Sequence, residues 1–226
     1  MSLIARGSKI AACSLMAIIA LACIQASTAR AGLTVGGKTL EANETLTSTA
    51  VTEYLVNVPK KNMIIHCKKI VKFWEWLFFG FIPYFHHVEE LRECVTLGGG
   101  KEVVNCKPIE PIVFKSVGLL ILHNSKTYIL FEPESGKKMG TIELGELCAL
   151  AETSDVTGSF VVECLTSGGA SGNCSEEMAT HKMRSASAAL FSADSLNFGS
   201  NQMTFEGTEA VTLSGVNAGN AWGASV

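Results

Sequence analysis

The chain has 226 residues, eight cysteines, 47% hydrophobic residues and a formal net charge of −3. This length and hydrophobic content suit one folded domain of ordinary size, or two small ones, and they exclude a largely disordered chain. The negative charge argues against binding nucleic acid through a general excess of positive charge, so we expect no nucleic-acid partner.

The first 31 residues have the features of a secretory signal peptide. Arg6 and Lys9 precede an apolar stretch over 10–24, and residues 29–31 read Ala-Arg-Ala, the small-x-small pattern of a cleavage site. A retained membrane anchor is one alternative, but it would need about 20 apolar residues, and this stretch is 15 residues long. A lipoprotein attached through Cys23 is a second alternative. The segment therefore predicts a protein that is secreted or held at the cell surface.

The mature segment 32–226 is expected to form a single disulfide-stabilised β domain with a net charge of −6, because the leader carries three basic and no acidic residues. Six cysteines remain in it: Cys67, Cys94, Cys106, Cys148, Cys164 and Cys174. An even number in an exported protein predicts three disulfides. Since short loops are the easiest to close, the predicted pairs are Cys94–Cys106, Cys164–Cys174 and, by remainder, Cys67–Cys148. No C-x-x-C spacing is present, so we predict no metal among these cysteines.

Short runs rich in Val, Ile, Thr and Phe alternate with Gly, Asn, Ser and Thr, a pattern typical of many short antiparallel strands. In chain order the predicted strands are 33–35 and 39–41 around a Gly36-Gly37 turn, 45–58, 63–71, 110–117, 119–123, 127–132, 140–147, 156–164, 196–198, 203–206 and 209–213. Residues 175–191 are predicted as the one helix, although their serines and alanines suit a strand nearly as well. The predicted fold is mainly β, an antiparallel β-sandwich or irregular β-barrel with disulfides and little helix.

An aromatic-rich insertion at 72–87 is the most unusual segment. Eight of the seventeen aromatic residues of the chain lie within it: Phe73, Trp74, Trp76, Phe78, Phe79, Phe81, Tyr84 and Phe85. Neither strand nor helix periodicity gives the segment one polar side. It is either a buried hairpin that turns near Gly80, or an exposed tip whose aromatic residues contact a protein partner, a second copy or a membrane interface.

Motifs with catalytic or ligand chemistry are weak. Residues 32–39 match the P-loop pattern, but no strand precedes them, so a plain hairpin is the better interpretation. His86 and His87 are adjacent and would point to opposite faces of a strand, which argues against chelation of one ion. The chain has no G-x-S-x-G, the motif of a serine hydrolase. Its 19 glutamates leave one enzymatic alternative, a secreted hydrolase that uses a glutamate pair. We assign no catalytic, metal or cofactor-binding residue and expect no cofactor.

The chain resembles a loosely defined set of exported bacterial β-proteins of unknown function, known from soil actinobacteria and their relatives. The resemblance rests on 64–67 (Ile-Ile-His-Cys), the stretch from Cys94 to Ile109, 130–136, 156–159 and 213–219. The aromatic insertion departs from that pattern. The resemblance implies export, β structure and disulfides, and it implies no activity.

The function predicted from these features is non-catalytic recognition, adhesion or assembly at the cell surface or outside the cell. A protein partner or self-association through the aromatic segment is the expected contact, and membrane-interface contact through the same residues is the alternative.

Overall fold

The structure is a computed structural model, and it describes residues 32–40, 42–79, 82–150, 153–186 and 195–226. The elements in chain order are β1 (Gly32–Val35), β2 (Lys38–Thr39), β3 (Glu44–Ala50), β4 (Tyr54–Val58), β5 (Met63–Phe79), β6 (Ile82–Gly98), β7 (Lys101–Glu102), β8 (Ile112–His123), β9 (Lys126–Pro133), β10 (Lys138–Ile142), β11 (Ser154–Thr157), β12 (Phe160–Leu165), β13 (His181–Ser185), β14 (Asn197–Phe198), β15 (Asn201–Gln202), β16 (Thr204–Glu206), β17 (Thr208–Leu213) and β18 (Trp222–Ser225). Two 3-10 turns, Pro59–Lys61 and Val104–Cys106, are the only helical elements in these ranges.

Eight of these strands close into an antiparallel barrel, so the barrel alternative of the predicted fold is confirmed and the sandwich is not. Each barrel strand pairs with the next barrel strand along the chain, in the order β3, β5, β6, β8, β9, β12, β13 and β17. The pairing of β17 with β3 closes the ring, with Leu213 opposite Leu46. Closure satisfies the backbone groups that would otherwise form two open sheet edges.

The predicted helix over 175–191 is wrong for the residues that the structure describes. β13 occupies His181–Ser185, with His181 and Met183 buried and Lys182 exposed. This alternation is the period of a strand that has one face toward the core. Residues 187–191 of the prediction lie outside the described residues.

Aromatic side chains fill the barrel interior at one level. Trp74 packs edge-on against Phe85 and Phe131, with ring centroids 5.7 and 5.3 Å apart. Gly118 lies opposite both phenylalanines in the strand register. A Cβ at this glycine would come within 2.8 Å of the Phe131 ring, so the absence of a side chain there makes room for the aromatic packing.

Further strands extend the sheet beyond the barrel. β10 joins β8 and continues through β11, β14 and β15, while β4 joins β5 and carries β16. β1, β2 and β18 form a separate three-stranded sheet. Its Trp222 is fully buried and accepts, through its backbone oxygen, a 2.7 Å hydrogen bond from Nε2 of the buried His181. The C-terminal strand is thereby attached to the barrel.

The Gly-rich segment 32–39 folds as the predicted hairpin. β1 and β2 pair with Val35 opposite Lys38, and Gly36 and Gly37 form the turn with φ of 59° and 74°. These positive φ values favour glycine at both positions. No helix follows the turn, so the phosphate-binding arrangement that a P-loop needs is not formed here.

All six cysteines within 32–226 form disulfides, but two of the three predicted pairs are wrong. Cys164–Cys174 is confirmed. The other bonds are Cys67–Cys94 and Cys106–Cys148 rather than Cys94–Cys106 and Cys67–Cys148. Cys67 and Cys94 lie directly opposite each other in the β5–β6 register, so strand pairing brings them together. Three intramolecular disulfides indicate an extracytoplasmic or otherwise oxidising environment.

No helix in the described ranges is both long enough and apolar enough to cross a membrane.

Candidate functional site

The aromatic insertion is a hairpin formed by the ends of β5 and β6, which pair up to Phe79 opposite Ile82. The predicted reversal near Gly80 is therefore confirmed by the strand register. Phe81 and the side chains of Phe78 and Phe79 lie outside what the structure describes.

Three of the predicted contact residues belong to the core. Trp74, Trp76 and Phe85 are fully buried, because they occupy the face of β5 and β6 that points into the barrel. They therefore cannot contact a partner in the folded protein, and this part of the contact prediction is corrected. The buried-hairpin interpretation is right for these three rings.

The outer face of the same hairpin is different. Phe73 is 51% exposed and Val71 is 47% exposed. Phe73 lies opposite the half-buried Val88 on β6, and the half-buried Tyr84 follows on the same face. These residues line the outside of the barrel as an apolar strip, which we call the outer strip (Val71, Phe73, Tyr84 and Val88). One polar pair, Glu75 opposite His86, interrupts it between Phe73 and Tyr84.

The end of the hairpin continues past its neighbouring strands. β3 pairs with β5 only as far as Glu44 opposite Trp76, and β8 pairs with β6 only as far as Gly118 opposite Phe85. Residues 77–79 and 82–84 pair with each other and, in the described part of the chain, with no other strand. No residue from 76 to 85 carries a charge. An uncharged aromatic hairpin end therefore adjoins the outer strip.

Charged side chains lie inside the barrel next to the aromatic layer. Lys72 Nζ lies 3.4 Å from a Glu89 carboxylate oxygen and 3.1 Å from a Glu209 carboxylate oxygen. The ring of Tyr54 lies 4.9 Å from the same ammonium group, and Ser48 Oγ donates a short hydrogen bond to Glu209. We call these five residues, together with His87 and Ser116, the interior polar cluster. It joins β3, β4, β5, β6, β8 and β17.

Burial and mutual charge set the protonation of this cluster. Burial alone would lower the pKa of Lys72, but the carboxylates of Glu209 and Glu89 outweigh that effect and raise it, so Lys72 is charged. Burial raises the pKa of Glu89 to about 7 against the opposing attraction of Lys72. Burial raises the pKa of the Tyr54 hydroxyl, which stays neutral.

His87 is a neutral member of the cluster. Burial, and then the positive charge of Lys72, lower its pKa well below the ordinary value. Its Nδ1 shares a 3.0 Å hydrogen bond with Ser116 Oγ, and its Nε2 lies 3.8 Å from Glu89. His86 points outward instead, 3.2 Å from Glu134. The two histidines thus face opposite sides of the strand, and the described residues contain no group of three or more His, Cys, Asp or Glu side chains placed to hold a metal.

The geometry around Glu89 and Glu209 differs from that of a glycosidase pair. Lys72 bridges the two carboxylates, so an ammonium group lies where the sugar and the attacking water would have to enter. The cavity beside Glu89 measures about 10 Å³, far smaller than a sugar ring. No observation on these residues favours the hydrolase alternative.

The interior polar cluster was not predicted from the sequence, although the sequence contains a signal of it. Lys72 and Glu89 have the same strand phase as the inward-facing Trp74 and Phe85, so a charge at these positions marks an unusual polar interior. Comparisons of the chain with protein-family models, with curated proteins and with solved structures gave no match, and the functional argument therefore rests on this geometry.

Proposed function

We propose that this protein is an exported, non-catalytic barrel that assembles with further copies of itself at the cell surface or outside the cell. The observation that carries the proposal is the outer strip, a mainly apolar surface next to an uncharged hairpin end, on a barrel whose disulfides indicate an oxidising compartment. The predicted signal peptide over 1–31 and the resemblance to exported bacterial β-proteins support export, and cleavage is expected after Ala31.

A second copy suits this surface because the charges around it have both signs. The exposed Lys115 lies opposite Val88, and Glu90 lies opposite Val71. Glu90 also forms a 2.8 Å ion pair with Arg92. An isologous contact places each rim charge of one copy against the rim of the other, so a rim with both signs can pair with itself. The net charge of −6 disfavours an anionic membrane as the partner.

The test compares the mature protein with a Val71→Ser/Phe73→Ser variant, which changes the two exposed residues of the outer strip, by sedimentation velocity over a range of concentrations. The matched control is Val104→Ser/Ile109→Ser, which removes two residues that are 76% and 58% exposed outside the outer strip. We expect the wild type and the control to associate as concentration rises, and the double variant to stay monomeric with an unchanged circular dichroism spectrum.

Two results would overturn the proposal. In the first, the wild type stays monomeric at every concentration. In the second, the monomer cosediments with phosphatidylglycerol vesicles and the Val71→Ser/Phe73→Ser variant does not, which would make the surface a membrane contact.

A further inference from the structure

A small cavity adjoins the interior polar cluster. It measures about 10 Å³, which is room for one molecule the size of water. His87, Glu89 and Ser116 form its polar side, and the rings of Phe114, Phe160 and Phe205 form part of its apolar side. A second cavity of about 30 Å³ shares Phe160 and Phe205 with the first and extends toward Thr204.

The cluster around this cavity has an excess negative charge. Lys72 contributes one positive charge, and Glu89 and Glu209 contribute two negative charges when both are ionised. The other groups that face the cluster are neutral: His87 from β6, Tyr54 from β4, Ser48 from β3 and Ser116 from β8. An uncompensated charge in a barrel interior is costly, so the site attracts one further positive charge.

Two acceptor atoms next to the cavity have no hydrogen-bond partner among the described residues. They are Oε1 of Glu89 and Nε2 of His87, and both residues are 1% exposed. His87 is neutral and its other ring nitrogen is engaged with Ser116, so Nε2 is available as an acceptor if Nδ1 carries the proton. Buried acceptors of this kind are normally satisfied, and a group with several N–H donors would satisfy both.

The chemistry of the lining selects the kind of cation. Aromatic faces attract ammonium groups, and a nitrogen acceptor together with a carboxylate suits N–H donors. Hard cations such as calcium and magnesium instead need six or more oxygen ligands, and the polar lining of the cavity offers only the side-chain oxygens of Glu89 and Ser116.

We propose that the barrel interior binds a small primary ammonium group, ammonium itself or the amino end of a short alkylamine, between Glu89, His87 and the rings of Phe114, Phe160 and Phe205. The head group occupies the inner cavity, where its N–H groups donate to Glu89 Oε1 and His87 Nε2. A short alkyl tail lies toward the outer cavity along Met203, whose flexible side chain lines both cavities. This site is separate from the outer strip and does not depend on self-association.

The experiment measures the melting temperature of the mature protein at pH 8 while sodium chloride is replaced by ammonium, methylammonium, potassium or tetramethylammonium chloride at constant ionic strength. We expect the melting temperature to rise saturably with ammonium and methylammonium only. Tetramethylammonium has no N–H donor, and the cavity offers potassium too few oxygen ligands. The apparent affinity should be about tenfold weaker at pH 6, because a proton on Glu89, whose pKa is about 7, competes with the ligand.

The variant Glu89→Gln removes the excess charge and should abolish the response, whereas the matched control Glu102→Gln, at an exposed residue of β7, should keep it. No rise with ammonium, an equal rise with tetramethylammonium, or a rise that persists in Glu89→Gln would each overturn the proposal. If Glu89→Gln does not fold, the wild type is tested directly with ¹⁵N-ammonium. A protein-bound ammonium signal would support the proposal, and its absence would overturn it.

Discussion

Glu89 is the residue whose environment departs furthest from that of an ordinary glutamate. It is 1% exposed, and burial raises its pKa from 4.5 to about 7 even though Lys72 lies 3.4 Å away. Lys72 is shared with Glu209, so it cannot fully compensate both carboxylates. Near neutral pH the folded protein therefore retains a proton on Glu89 that the unfolded chain has already released.

This difference makes the effect of Glu89→Gln on stability depend on pH. The folded state binds the proton more tightly than the unfolded state, so the wild type loses stability as pH rises from 4.5 to about 7. Glutamine is neutral throughout and lacks this loss. We expect the two proteins to be similarly stable at pH 5, and the variant to be more stable by about 3 kcal/mol at pH 8.

Urea unfolding at pH 5 and pH 8 in amine-free sodium buffers measures this difference. Burial lowers the pKa of His87 and of His181, which gives the opposite slope below pH 6.5. Both histidines are present in both proteins, so their contribution largely cancels in the comparison. A difference that stays constant between pH 5 and pH 8 would contradict the protonation assigned to Glu89.

At the scale of the element, the two faces of β5 have separate roles. Trp74 points inward and is fully buried, whereas its neighbour Phe73 points outward and is 51% exposed. We expect Trp74→Ala to lower the free energy of unfolding by about 3–5 kcal/mol, because it leaves a cavity among Phe85, Phe131 and His87. Phe73→Ser should cost under about 1 kcal/mol.

Urea denaturation of the two single variants checks this contrast, with protein concentration kept low so that self-association does not contribute. Equal losses would mean that Phe73 is part of the core packing and that the outer strip is no separate surface. A Trp74→Ala variant as stable as the wild type would contradict the placement of this ring inside the barrel.

The same hairpin shows what the sequence could predict. The reversal near Gly80 was predictable, and the register that follows from it contains the Cys67–Cys94 disulfide, since each cysteine lies twelve residues from the paired Phe79 and Ile82. Closure entropy alone favours the shorter loop, Cys94–Cys106, which is why that pair was predicted. In the folded protein the strand ladder decides which cysteines meet.

The predicted strand 63–71 ends too early, because β5 continues to Phe79. The segment after it is apolar at both strand phases, and that hid the alternation between inward Trp74 and outward Phe73. The contact prediction therefore grouped rings from both faces. Burial of individual side chains depends on which face meets the rest of the barrel, and composition within the segment carries no information about that.

At the scale of the whole molecule, closure of the barrel depends on contacts that are distant in sequence. β3 pairs with β17, which brings Ser48 opposite Val211 and Leu46 opposite Leu213. Local patterns predicted both strands but gave no indication that they meet, so the sandwich and the barrel remained equal alternatives. The interior polar cluster was missed for the same reason, because Glu209 on β17 reaches Lys72 only after closure.

Closure also predicts how the protein unfolds. If the ring is one cooperative unit, a substitution where β17 meets β3 should weaken the β5–β6 hairpin on the other side of β3 as much as the seam itself. Val211→Ala removes buried methyl groups at this seam and should cost about 2–3 kcal/mol. Val216→Ala, at a residue 93% exposed just beyond β17, is the control and should leave stability unchanged within about 0.5 kcal/mol.

The measurement combines urea unfolding, followed by tryptophan fluorescence and far-ultraviolet circular dichroism, with hydrogen exchange of the β5 and β6 amides. In Val211→Ala both optical transitions should move together, and the slowest hairpin amides should lose protection by the same free energy. If those amides keep their wild-type protection, the hairpin with its Cys67–Cys94 bond is stable without the closed ring. In that case the barrel would be an assembly of separately stable parts.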